Sequence, residues 1–276
     1  MSVEHPSKPA EASLLGAAMT ALEFYTRVPR PDWSTFSADD ARHAGAFAPL
    51  AGMLVAVIGA VTWWLAGLLL PEPLPVMIAI AVMVAVTGAL HEDGLADVCD
   101  AFGARGTAQQ TLDILKDPRL GVYGVLGLLL MIAARIAALW QISLLSDAMF
   151  SVMAATLVAA HALSRFAAVL LTRYLDYVRR DDARSRVSAF AAPLGGHWLQ
   201  AAIAITVIAW VPLLMLGFFA AMWVLPLMLV CVAWLRLLFV RRIGGYTGDC
   251  LGCVQQVSEQ LVYLSVLAVL FLAGGS

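Results

Sequence analysis

Residues 91–103 read His91-Glu92-Asp93-Gly94-Leu95-Ala96-Asp97-Val98-Cys99-Asp100-Ala101-Phe102-Gly103, directly after the apolar run 74–90. An apolar run of that length is a candidate membrane span. The acids at its end mark where the chain leaves the bilayer. If the helix of the apolar run continues, the i, i+4, i+7 spacing puts Asp93, Asp97 and Asp100 on one face. Three carboxylates on one face repel each other at neutral pH. Such a cluster usually holds a divalent cation, and oxygen-only ligands point to Mg²⁺ or a similar hard ion. The plainer alternative is a solvated acidic helix end at the membrane surface. Gly94 favours the metal reading, because it opens a close approach beside the acids. His91 falls opposite the aspartates on an ideal helix, which makes it a poor direct metal ligand.

Working outward, 62 % of the 276 residues are apolar and only 13 % are charged, about half the usual soluble share of charge. This composition belongs to an all-α, polytopic membrane protein. The net charge of −2 gives no ground to expect a nucleic-acid partner. Residues 1–12 are polar and proline-containing, without the basic start or cleavage site of a signal peptide, and read as a disordered tail. Residues 13–276 read as a single integral-membrane domain. The segment 13–24 is apolar but too short to span a bilayer, and suits an interfacial helix. Spans are expected at 45–70, 74–90, 121–145, 148–172, 197–218, 220–240 and 257–273, about seven in all. A short amphipathic helix is expected at 107–116, with Leu112 and Leu115 on one side. Between the spans lie a charged loop at 173–196 and a glycine-rich loop at 241–256.

The loops are asymmetric. Turns at 71–73, 146–147 and 219 are minimal and lack Lys and Arg, whereas Arg27, Arg30, Arg42, Arg105, Lys116, Arg119, Arg173, Arg179, Arg241 and Arg242 share the other side. The positive-inside rule makes that side cytoplasmic, and the aspartates are on it. A transporter would present polar groups near mid-membrane, and little of that is visible. Arg135, Arg165 and Arg236 do fall within spans. Arg236 lies near a span end and can snorkel. Arg135 and Arg165 are deeper, so each requires a partner or a wet cavity.

Further motifs lie on the same side. Gly244-Gly245-Tyr246-Thr247-Gly248-Asp249-Cys250-Leu251-Gly252 is a turn whose N–H groups could cradle a phosphate, with Asp249 as a further carboxylate. A plain interhelical turn is the alternative. Glu259 begins the expected last span, where it could cap the helix or reach the site. Lys116 and Arg119 flank a helix break and could bind pyrophosphate, or simply anchor the loop. Cys250-x-x-Cys253 lacks a second pair and is a weak metal or redox signal.

The combined motifs resemble the cobalamin synthase family, the adenosylcobinamide-GDP ribazoletransferases. The core is His91-x-Asp93-Gly94-Leu95-Ala96-Asp97-x-Cys99-Asp100. Support comes in order from Phe24-x-Thr26-Arg27-Val28-Pro29, Pro49-Leu50-x-Gly52, Lys116-Asp117-x-Arg119-Leu120-Gly121-x-x-Gly124, Ser164-Arg165, Tyr177-x-Arg179 and the Gly244–Gly252 motif. Ala101, Ala183 and Gln256 depart from the residues common in that family. The resemblance implies a Mg²⁺-dependent phosphotransferase of the prokaryotic cytoplasmic membrane, facing the cytoplasm. A hydroxyl of α-ribazole or its 5′-phosphate would attack adenosylcobinamide-GDP with release of GMP. Asp93, Asp97, Asp100 and Asp249 would be the catalytic and metal residues. Arg27, Lys116, Arg119, Arg165, Arg179, Glu259 and His91 would bind substrate, with Arg27 and Arg119 lining the same cleft as Asp249. A homo-oligomer is compatible with the sequence. The rivals are a CDP-alcohol phosphotransferase, whose usual motif is broken here by Asp97 and Val98, and a non-enzymatic corrinoid transporter.

Overall fold

The computed structural model describes residues 12–31, 37–145, 149–179, 190, 192–215 and 218–274. The expected tail, apart from Ala12, and most of the basic loop after Arg179 lie outside the described residues. The chain is helical throughout its named elements. α1 (Leu14–Tyr25) is capped by Ser13, whose side chain accepts the Gly16 N–H. At 12 residues it reaches only about 18 Å, too short for a bilayer core of about 30 Å. Its start is tied to α2 (Ala38–His43): the N–H groups of Ala12 and Ser13 donate to Asp39 and Asp40 at 2.8 and 3.0 Å. A 3₁₀ turn, Ala44–Phe47, leads into α3 (Ala48–Gly67).

The next helix departs from the sequence expectation. α4 (Leu74–Thr87) stops at Gly88, with φ +67°, and Ala89 follows at φ +59°. The Ala89 N–H donates to the Val84 carbonyl at 3.0 Å, a left-handed helix stop. α5 (Leu90–Gly103) then leaves at 89° to α4. The aspartate stretch is therefore not a continuation of the apolar helix. It is a separate helix, and its own helicity keeps the i, i+4, i+7 register. Arg27 braces the bend. Its N–H donates to Val86 O at 2.7 Å, and its side chain lies so close over Gly88 that a Cβ there would sit 2.5 Å from Nε.

α6 (Ala108–Ile114) carries a capping box between Thr107 and Gln110, and buries Leu115 just after its end. Then come α7 (Val122–Leu145), α8 (Met149–Leu171), α9 (Gly196–Met215), α10 (Phe218–Ile243) and α11 (Gly248–Gly274). Among the described residues, six helices are long and apolar enough to cross a membrane, and the bent α4–α5 pair would make a seventh. α10 runs to Ile243 and α11 begins at Gly248, not near residue 257, so most of the expected glycine loop is helix.

α8 is the central helix, packed on α3, α9 and α11. In its span 78 % of residues are buried, against 22 % in α7 and in α10, whose outer faces present residues such as Leu129, Leu130, Trp223 and Trp234. That apolar exterior is a lipid-facing surface. Among the described residues, the connections around 115, 176–179 and 244–247 meet one another. Arg242 donates to the carbonyls of Ala101 and Ala104 at the C-terminus of α5, with 2.7 Å for the latter. The cation thereby complements the negative end of the α5 dipole.

Candidate active site

The site is built where α5 crosses α11. A Cβ on Gly94 would lie 2.9 Å from the Asp249 carbonyl oxygen and 3.3 Å from the Gly252 Cα, and one on Gly252 would lie 3.2 Å from the His91 carbonyl oxygen. The two helices thus meet backbone to backbone, a contact that only glycine permits. This crossing carries Asp249, in the first turn of α11, alongside the acidic face of α5. Asp93 is exposed, and it lines one cleft together with Asp249.

A second close approach places a cation beside them. The segment after α8 pairs with the entry to α11: the Tyr246 N–H donates to Asp176 O, and the Val178 N–H to Tyr246 O, both at 3.0 Å. A Cβ on Gly245 would collide with the Asp176 carbonyl. The pairing delivers Arg179, which contacts Asp249 Oδ2 at 3.1 Å and donates to Leu115 O at 2.7 Å. Thr247 Oγ1 donates to the same Asp249 oxygen at 3.1 Å.

The cleft is about 770 Å³ including its open mouth. It runs between the end of α1, the start of α5, the end of α8 and the start of α11. Its walls include Phe24, Tyr25, Leu90, Val169 and Phe190, and Arg165 also lines it. Phe24 and Phe190 stack with centroids 3.8 Å apart. Burial, then the charge of Arg165, holds the His91 imidazole well below its ordinary range.

Asp97 lies one turn along α5 from Asp93. Burial, then the charges of Asp249 and Asp93, push its carboxyl up to about 6, against a smaller opposing pull from Arg179. Mutual repulsion of this kind is what a cation relieves, so the donor set fits a hard divalent ion. Among the described residues no three His, Cys, Asp or Glu side chains form a ready ligand shell. Such an ion would therefore take part of its shell from phosphate oxygens or water, as Mg²⁺ commonly does. Asp100 also adds to the charge around Asp97, but it has backbone partners of its own. Its two oxygens accept the N–H groups of Gly121 and Gly124 at 2.7 and 2.8 Å, closing the start of α7. It holds the 117–121 loop against α5.

A model of the family described as "Cobalamin-5-phosphate synthase" matches residues 17–268. The chain belongs to the cobalamin-5-phosphate synthase family. It is similar to the adenosylcobinamide-GDP ribazoletransferase of Shewanella frigidimarina (strain NCIMB 400), at 40 % identity over 92 % of this chain and 95 % of the relative. It is also similar to the adenosylcobinamide-GDP ribazoletransferase of Shewanella sp. (strain W3-18-1), at 36 % identity over 91 % and 93 %. No solved structure matches the chain. The protein is thus a membrane-embedded transferase of cobalamin synthesis.

Several expected positions are corrected for this family member. Glu259 does not begin the last span or cap it. It lies midway along α11, buried to 1 % exposure. There it receives Arg135 at 3.2 Å, Gln255 Nε2 at 2.6 Å and Tyr263 OH at 3.1 Å. Glu92 meets the same Arg135 at 3.5 Å, and Gln256 bridges Arg135 at 2.6 Å and Glu92 at 3.1 Å. Arg165 donates to the His161 carbonyl and faces its Nδ1, both at 3.0 Å, and stands 4.0 Å from Glu259. A buried polar network therefore does lie within the bundle, contrary to the sequence expectation. Its two arginines and two glutamates balance, as burial requires.

Arg119 is also elsewhere: its side chain is 86 % exposed and chelates Asp117. Neither it nor Arg27 is among the cleft-lining residues. Lys116 is exposed. All four cysteines are free thiols, and Cys250 and Cys253 are buried. The aromatic walls went unread in the sequence, although Phe24 opens a quoted motif and Tyr25 lies within it.

Proposed function

We propose that this protein joins adenosylcobinamide-GDP to α-ribazole or its 5′-phosphate, releasing GMP, at the cytoplasmic face of a prokaryotic inner membrane. The observation that carries this reading is a cleft lined by Asp93, Asp249 and Arg165, with Arg179 bound to Asp249 and with Asp97 close enough to feel the charges of both lining acids. The names of relatives aligned over nearly their whole length support the substrates. The concentration of Arg and Lys in the loops on one side of the expected spans supports the orientation.

In this reaction a ribazole hydroxyl oxygen forms a new bond to the cobinamide-bearing phosphorus. The bond from that phosphorus to the GMP oxygen breaks, and the hydroxyl proton is released. Arg179 and Arg165 hold phosphate oxygens and orient the diphosphate for in-line attack. Asp93, Asp97 and Asp249 would hold Mg²⁺, which supplies charge neutralisation of the diphosphate and of the departing GMP. Asp100 fixes the 117–121 loop beside α5.

The test is purified protein in lipid vesicles with Mg²⁺. One arm receives adenosylcobinamide-GDP and α-ribazole or its 5′-phosphate, and the other CDP-diacylglycerol and a small alcohol. GMP and a cobalamin product are expected in the first arm alone. Turnover confined to the second arm, or none in either with folded protein, would overturn the proposal.

A further inference from the structure

The cleft is larger and more apolar than phosphate binding needs. Its lining acids are Asp93 and Asp249, whereas its aromatic lining is the stacked pair of Phe24 from α1 and Phe190, with Tyr25 beside them. Aliphatic side chains from α5, α8 and α11, among them Leu90 and Val169, complete it. Aromatic faces and apolar walls bind planar rings and penalise groups that must keep hydrogen bonds.

Four parts of the substrates compete for such a surface, and the adenine of the adenosyl ligand, like guanine, carries an amino donor and ring-nitrogen acceptors that apolar walls would leave unpaired. Guanine presents N–H donors and carbonyl and ring-nitrogen acceptors around its edge, and apolar walls would leave these unpaired. A corrin ring with its fringe of amide arms exceeds a cleft of this size. The benzimidazole of α-ribazole, once joined to its sugar, has no N–H, one free ring nitrogen and two methyl groups. We infer that the Phe24–Phe190 wall is the seat of the ribazole base, which holds the nucleoside with its sugar toward Asp93 and Asp249. This inference rests on the proposed reaction and names the subsite of its second substrate. It also makes the cleft, rather than the metal, the place where the lower-ligand base is selected.

The test is the KM for each substrate in Phe24→Ala and Phe24→Leu, assayed in lipid vesicles. Base stacking on one aromatic ring is worth about tenfold or more in binding. The KM for α-ribazole should therefore rise about tenfold or more in the alanine variant and less in the leucine variant. The KM for adenosylcobinamide-GDP should stay within about twofold. The preference for the ribazole over the α-riboside of adenine should narrow in the same order. A rise in the adenosylcobinamide-GDP KM alone, equal rises in both, or no change in either would overturn the inference. Wild-type protein that makes no product from this pair would instead overturn the proposed reaction, so the two failures are distinct.

Discussion

Gly94→Ala tests whether the α5–α11 crossing builds the site. The added Cβ would sit 2.9 Å from the Asp249 carbonyl oxygen and 3.1 Å from its Cα. That is roughly half an ångström inside ordinary contact, and both atoms are backbone that cannot rotate away. Overpacking of this kind costs about 1–3 kcal/mol. Alanine in place of a helical glycine returns about 1 kcal/mol. The net loss is about 0–2 kcal/mol, small enough for the fold to survive. The catalytic effect is larger in proportion. Displacing a reacting group by about 1 Å can cost about a hundredfold, so half that shift between Asp249 and the α5 acids should cost about tenfold or more. We expect kcat/KM to fall by that factor while the melting temperature of the detergent-purified protein moves by only a few degrees. Gly195→Ala is the control, because a Cβ there meets nothing within 4 Å. Full activity in Gly94→Ala, or equal losses in the two variants, would refute the crossing as the device that assembles the acids.

The acids should separate by role. Asp93→Asn and Asp97→Asn should each lower kcat about a hundredfold and raise the Mg²⁺ needed for half-maximal rate. Asp100→Asn should lose about tenfold with an unchanged Mg²⁺ requirement, because its oxygens hold the Gly121 and Gly124 N–H groups. A Mg²⁺ titration in which all three variants behave alike would contradict this division. Because the Asp97 pKa is raised to about 6, its contribution to metal-free stability is full below the unfolded value and is lost as pH rises through about 6. In EDTA, the melting temperature should carry a component that declines across that window, is relieved by Mg²⁺ and is absent in Asp97→Asn. Glu259→Gln leaves Arg135 short of a buried counter-charge and should destabilise by about 3 kcal/mol or more. Adding Arg135→Met should recover much of that loss, and a single variant that melts like wild type would show the pair to be dispensable.

The sequence by itself determined the membrane class, most span positions, the one-sided placement of polar loops and the family. These follow from local properties: runs of apolar residues, loop charge, and motifs short enough to read in order. The carboxylate register was also legible, since residues 90–103 are helical on their own. What the sequence did not reveal depends on contacts between distant segments. The 89° break at Gly88–Ala89 turns a continuous-looking helix into two, because Arg27 from another segment braces the stop. The glycines at 248 and 252 read as a loop, yet they belong to α11. Glycine weakens a helix locally, but here it is the residue that lets α11 reach α5. Asp100 and Asp97 look equivalent in the register, and only the fold gives one of them two backbone N–H groups to hold. Likewise, Glu259, Arg135 and His161 are isolated polar letters in three apolar helices. They become one network only when α7, α8 and α11 pack together, because a buried charge takes its partner from whichever helix lies beside it.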